Sequence, residues 1–195
     1  MIVGLTGSIA MGKSTAAKMA RGLGVAVFDS DATVRALTAP HGQALPAIAT
    51  AFPSVVENGA LDRKALAQIV FNTPQKLHRL ESILHPMVKQ ARQKFLQTAT
   101  RRRRKLVVFD IPLLFETKAE RECDLVLVVC APVFLQLQRV GARPGMTAAL
   151  FNSILQRQMP ALQKARRADI VISSGLGRAV TFRQLKKALV LNRRT

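Results

Sequence analysis

Short apolar runs alternate with longer stretches of helical spacing along this chain. Ile2-Val-Gly-Leu-Thr6 predicts a strand, and residues 7–12 predict a loop. Residues 13–23 predict a helix that packs through Ala16, Ala17, Met19 and Ala20, with Gly24 as its stop. Val25-Ala-Val-Phe28 is an unbroken apolar run of the buried parallel type, closed by Asp29-Ser-Asp31. From residue 32 to about 99 the spacing is helical and broken by Pro40, Pro46, Pro53, Pro74 and Pro86. Within it a helix over residues 61–71 sets Leu61, Ala65, Leu66, Ile69 and Val70 on one face. Leu77, Leu80, Leu84 and Val88 continue the pattern through His85-Pro86. Residues 105–110 and 124–130 predict a third and a fourth strand. Pro132 opens a helix to about Val140, Arg143-Pro-Gly145 is a turn, and Thr147 caps a helix reaching about Gln158. Asp169-Ile-Val-Ile172 predicts a fifth strand and residues 178–190 a last helix.

Strands that alternate with helices predict a three-layer α/β fold around a parallel sheet, with right-handed crossovers. At roughly 100–200 residues per domain, 195 residues make one domain, long enough to bury a core without covalent staples. No apolar run approaches the ~20 residues that span a bilayer, so no membrane partner is expected. Met1–Thr6 is short and uncharged and runs straight into a glycine-rich loop, so no signal peptide is expected. Two cysteines, Cys123 and Cys130, make no disulfide framework, and Cys130 closes an apolar run as a buried thiol would. A reducing, cytoplasmic location follows.

Charge adds one question. Thirty Lys and Arg stand against eleven Asp and Glu, a net +19 that makes an anionic partner plausible. Residues 125–195 hold 12 basic groups and one acid, and Arg101–Lys105 is five basic residues in a row. Without Trp or Tyr the chain has few platforms for stacking bases, so a nucleic-acid contact through the basic surface is the weaker reading and a solvated loop the stronger.

The most specific chemistry lies in Gly7-Ser-Ile-Ala-Met-Gly12-Lys13-Ser14, a complete G-x-x-x-x-G-K-S between a predicted strand and a predicted helix. Such a loop turns backbone N–H groups onto phosphate oxygens, and the helix N-terminus adds partial positive charge there. Lys13 reaches the β- and γ-phosphates and the Ser14 hydroxyl ligates Mg²⁺. Asp29 and Asp31 stand where the second strand ends, beyond which α/β sheets bind ligands. Either could take a proton from an acceptor hydroxyl, and Ser30 or Asp31 could equally cap a helix starting near Ala32. Asp110 ends an apolar strand. It could hold Mg²⁺ through water or serve only the turn. Arg139 and Arg143, on and after a helix, are transition-state arginines or surface charge. His41, His78 and His85 have no metal-ligand spacing.

The chain resembles the dephospho-CoA kinase family on a series of short pieces in fixed order. They stand here as residues 4–15, Phe28-Asp-Ser-Asp31, Asp62-Arg-Lys-Ala-Leu66, Val70-Phe71, Leu80-Glu81, Leu84-His85-Pro86 and Asp110-Ile-Pro-Leu-Leu-Phe-Glu116. Gln138-Arg139-Val140 with Arg143, Arg157-Gln158-Met-Pro160, Lys164 and residues 168–172 complete the series over essentially the whole chain. The resemblance implies transfer of the ATP γ-phosphate to the ribose 3′-hydroxyl of dephospho-CoA, with Mg²⁺ as cofactor. It implies a five-stranded parallel sheet of the P-loop kinase type in one domain. The core would be residues 1–60, 100–139 and 168–195, a helical substrate part residues 61–99, and a lid residues 140–167. It implies Asp31 as catalytic base and Lys13, Arg139 and Arg143 as its catalytic companions. ATP would bind Gly7, Ala10, Met11, Gly12, Lys13, Ser14 and Thr15. Dephospho-CoA would meet Asp29, His85, Pro112, Leu113, Leu114 and Glu116.

Three segments depart from the family's usual pattern. Ser8, Ala10 and Met11 replace loop residues that are often Gly, Gly and Ser, so Ala10 and Met11 need negative φ or must tolerate some strain. Pro144 follows Arg143 where an acid is frequent. Ser173-Ser174-Gly175 stands where many members have an Asn near the adenine.

Overall fold

The computed structural model describes residues 1–71 and 73–191. In chain order it runs β1 (Ile2–Thr6), α1 (Lys13–Gly22), β2 (Ala26–Asp29), α2 (Ser30–Leu37), α3 (Leu45–Ala51), β3 (Val56–Glu57) and β4 (Ala60–Leu61). It continues α4 (Arg63–Phe71), α5 (Pro74–Arg101), β5 (Val107–Asp110), β6 (Leu125–Cys130), α6 (Val133–Gly141), α7 (Ala148–Arg157), α8 (Ala161–Arg166), β7 (Ile170–Ser173) and α9 (Arg178–Leu191). Contacts divide the chain into two compact units, Met1–Phe28 with Ala99–Thr195, and Asp29–Thr98.

The first unit is built on a five-stranded sheet in the order β2-β5-β1-β6-β7. β5, β1, β6 and β7 pair in parallel, with Ile2 opposite Val107, Val3 opposite Leu125 and Leu127 opposite Ile170. Parallel pairing brings the strand ends Thr6, Asp110 and Cys130 to one edge. On one face Val3, Leu5, Val108, Leu127, Val129 and Ile172 pack against Ala16, Ala17 and Ala20 of α1 and Leu185, Ala188 and Leu189 of α9. The alanines of α1 let that helix lie close, as their spacing predicts. Two strand-start carboxylates are used as backbone acceptors: Asp124 takes the Ile2 N–H at 2.6 Å and Asp169 the Val126 N–H at 2.7 Å.

The second unit has its own core of Leu37, Ala44, Ile48, Phe52, Val55, Leu66 and Val70. Leu61, Ala65 and Ile69 pack against it, as do Leu77, Leu80, Leu84 and Val88. Residues 29–60 therefore pack with 61–98, because α2, α3 and α4 share one apolar cluster. The sequence-based boundary at residue 61 lies inside this unit.

Two further differences have local causes. Asn58 and Gly59, at φ 50° and 72°, turn β3 back onto β4 in a two-residue hairpin that the helical pattern conceals. Pro86 lies inside the 28-residue α5 without ending it. Among the described residues no helix is long and apolar enough to cross a membrane.

Candidate functional site

The loop between β1 and α1 is held open by its backbone. Gly12 is the N-cap of α1 at φ 94°, and Ala10 also sits in the left-handed region at φ 59°. Ala10 is thus strained rather than of negative φ, at a cost of about 1–2 kcal/mol for a residue with a Cβ. Gly7 admits no side chain, since a Cβ would lie 2.6 Å from the Val129 carbonyl oxygen. Among the described residues none accepts from the N–H groups of Gly12, Lys13 and Ser14. These donors at a helix N-terminus form a nest for phosphate oxygens.

Lys13 Nζ lies 2.6 Å from Asp110 Oδ1, and the Asp110 side chain is only 4 % exposed. The strand-end acid is therefore paired with the loop lysine and is more than a turn residue. Ser14 is exposed on the first turn of α1, and the buried Ser8 Oγ has no hydrogen-bond partner among the described residues. A hydroxyl and a carboxylate are hard oxygen donors of the kind Mg²⁺ takes, with phosphates and water filling its other positions. Among the described residues no group of three His, Cys, Asp or Glu gathers as a metal cage. The donor set fits a phosphate-bound Mg²⁺ near Ser14 and Asp110.

Helices α6 and α7 and the residue after α7 grip the loop from outside. Gln136 of α6 donates to the Ile9 carbonyl at 2.9 Å, and Gln158, just past α7, accepts from the Ile9 N–H at 2.9 Å. Arg139 of α6 donates through Nη1 to Ala10 O at 3.3 Å and Ser174 Oγ at 3.0 Å, and through Nη2 to Ser174 O at 2.8 Å. Ala10, Val140 and Phe151 form a small apolar cluster with Ile9 and Met146. Segment 140–167 thus touches the loop directly, while Arg143 is exposed on the turn after α6. Gln136 carries no sequence signal of its own, since Gln138 and Arg139 are polar residues of the same helix.

The residues after β5 divide. Leu114 is fully buried, packed against Gly4, and so is core. Pro112 and Leu113 are half-buried. The Pro112 carbonyl accepts from Thr6 Oγ1 at 3.0 Å and from Lys164 Nζ at 2.9 Å. Lys164, fully buried on α8, also reaches Glu116 Oε1 at 2.9 Å, and the same oxygen accepts the Met159 N–H at 2.6 Å. Glu116 therefore ties α8 to the strand-end loop. Burial pushes the nearby Cys130 thiol up, and the Lys164 ammonium partly offsets it.

Asp29, Asp31 and His85 belong to the second unit. Asp29 is the N-cap of α2, accepting the Ala32 N–H at 2.8 Å. The cap is thus neither Ser30 nor Asp31, because α2 begins two residues earlier than the pattern suggests. Asp31 lies exposed in the first turn, and His85 is exposed on α5. The Arg101–Lys105 run is fully exposed beside the start of β5, at the sheet edge opposite the phosphate loop. The Met1 ammonium donates to Lys105 O there at 2.9 Å.

A phosphate loop with a paired lysine is common to many nucleotide-binding proteins, so the rest of the chain has to decide among them. The family model described as dephospho-CoA kinase matches residues 1–177. The chain belongs to the dephospho-CoA kinase family. A dephospho-CoA kinase of Rhodospirillum rubrum is 53% identical over 194 residues, covering 99% of this chain and 92% of the relative. The crystal structure of TT1252 from Thermus thermophilus has a TM-score of 0.85 at 35% identity, covering 98% of this chain and 97% of that one. Dephospho-CoA kinase from Campylobacter jejuni has a TM-score of 0.72 at 25% identity, covering 99% and 97%. As a member of this family the chain is an ATP-dependent phosphotransferase of the P-loop kinase fold.

Proposed function

We propose that this chain transfers the γ-phosphoryl group of ATP to the ribose 3′-hydroxyl of dephospho-CoA, giving coenzyme A and ADP. The observation that carries it is the family match over residues 1–177, which takes in the phosphate loop, Asp31, the residues around Pro112 and both arginines. ATP binds with its β- and γ-phosphates against the N–H groups of Gly12, Lys13 and Ser14, flanked by Gly7, Ala10, Met11 and Thr15. Lys13, paired with Asp110 in this structure, comes to bridge that acid and a phosphate oxygen. Ser14, and Asp110 through water, would hold Mg²⁺, which would supply neutralisation of phosphate charge. Asp31 accepts the proton of the 3′-hydroxyl as the new O3′–P bond forms and the bridging P–O bond to ADP breaks. Arg139 and Arg143 offset the charge that builds on the transferring group. Asp29, by fixing the start of α2, holds Asp31 in place. The family resemblance assigns His85, Pro112 and Leu113 to the acceptor, whereas Leu114 and Glu116 support the loop after β5 from within. The reaction is a cytoplasmic one.

The test is ADP release with ATP and Mg²⁺ in the presence of dephospho-CoA, adenosine, AMP or no acceptor. Release that depends on dephospho-CoA is expected. Equal release with another acceptor would overturn the substrate, and binding of ATP without any turnover would overturn the reaction.

A further inference from the structure

Ser174 follows β7 and sits against the phosphate loop, yet no part of the mechanism above uses it. Its hydroxyl donates to the Met11 carbonyl at 2.7 Å and accepts from Arg139 Nη1 at 3.0 Å. Its own carbonyl takes Arg139 Nη2 at 2.8 Å, and its N–H goes to Cys130 O at 2.8 Å. The contact is close, since a Cβ at Gly12 would lie 2.8 Å from Ser174 Oγ.

The Met11 carbonyl belongs to the same peptide unit as the Gly12 N–H. In a planar trans peptide the two groups point in opposite directions. A hydroxyl that fixes the Met11 oxygen on the outer side therefore aims the Gly12 N–H inward, into the phosphate nest. The loop needs such a restraint, because Ala10 next door is held at φ 59° and a strained backbone persists only where its surroundings over-determine it. The same hydroxyl, with the Ser174 carbonyl, fixes the plane of the Arg139 guanidinium beside the loop.

We propose that Ser174 is a positioning residue for phosphoryl transfer: one hydroxyl, bridging the Met11 carbonyl and Arg139, sets the Gly12 N–H and the Arg139 guanidinium together against the ATP phosphates. The inference rests on the kinase reading above and deepens its ATP half. Preorganised donors of this kind act on phosphate charge without having to reorient.

The test compares Ser174→Ala, Ser174→Thr, Arg139→Ala and the double variant Ser174→Ala/Arg139→Ala. Ser174→Ala removes only the hydroxyl and leaves both backbone bonds of the residue in place. Its kcat/KM for ATP is expected to fall about tenfold, with KM for dephospho-CoA and the Tm close to wild type. Ser174→Thr restores most of the loss. In the Arg139→Ala background the loss shrinks to about threefold, the sign of two groups that act as a unit. An unchanged kcat/KM in Ser174→Ala beside a clear loss in Arg139→Ala would overturn the proposal alone. A fall in Tm without a kinetic effect would do the same, as would equal losses in the alanine and threonine variants. An inert Arg139→Ala would overturn the placement of Arg139 at the phosphates, and no ADP release by the wild-type chain would remove the kinase reading and the proposal with it.

Discussion

Replacing Asp31 with asparagine lowers turnover by about 10²–10⁴-fold, the range a positioned general base contributes, while ATP affinity and thermal stability stay near wild type. The separation of these effects follows from the start of α2. Asp29, not Asp31, caps that helix through the Ala32 N–H at 2.8 Å. Asp31 lies exposed in the first turn, so removing its charge leaves the cap and the core of Leu37, Ile48 and Leu66 untouched. Asparagine has the same shape and a similar helix propensity, but its amide cannot take up the hydroxyl proton. Steady-state kinetics, calorimetric titration with an ATP analogue and a thermal melt read the three quantities separately. Turnover within about threefold of wild type would contradict the assignment of the base.

Lys164→Met destabilises the protein by about 3–5 kcal/mol, the cost of leaving one member of a buried ion pair without the other. The Lys164 side chain has no solvent exposure, and its ammonium holds Glu116 Oε1 and the Pro112 carbonyl, both at 2.9 Å. Among the described residues Glu116 Oε2 has no hydrogen-bond partner, so without the lysine the carboxylate is left with the Met159 N–H. For a chain of this length the apparent Tm falls by roughly 6–20 °C. Adding Glu116→Leu recovers part of the loss, because an apolar pair no longer strands a charge. A second readout comes from Cys130, whose thiol burial pushes up and Lys164 pulls back. With the cation gone the thiol is less ionised at a given pH and alkylates more slowly. A Tm within about 2 °C of wild type would show that Glu116 finds other partners.

Much of the first unit was legible because local pattern and tertiary use agree there. The apolar run of β1, the glycine loop and the alanine-rich α1 each mark one element, and the parallel sheet needs all three. The lysine and the strand-end acid could be named from sequence, but their 2.6 Å pairing could not, since it depends on β5 lying beside β1. Gln136 stayed invisible for the same reason, and Ser174 stood out only as a departure near the adenine, not for its hold on the loop. Their partners are loop carbonyls more than 120 residues away in sequence. In the second unit the helical pattern drowned the Asn58-Gly59 turn, because only two residues on each side form strands. Asp29 was missed as a cap because its strand runs directly into α2 without a loop between them.

Where the phosphate goes decides the reaction. The measurement is phosphorus–proton correlated NMR of the product formed from ATP, Mg²⁺ and dephospho-CoA. One new phosphomonoester signal correlated with the ribose H3′ proton is expected, growing in step with ADP. A phosphate correlated with H2′, or inorganic phosphate as the only product beside ADP, would contradict transfer to the 3′-hydroxyl.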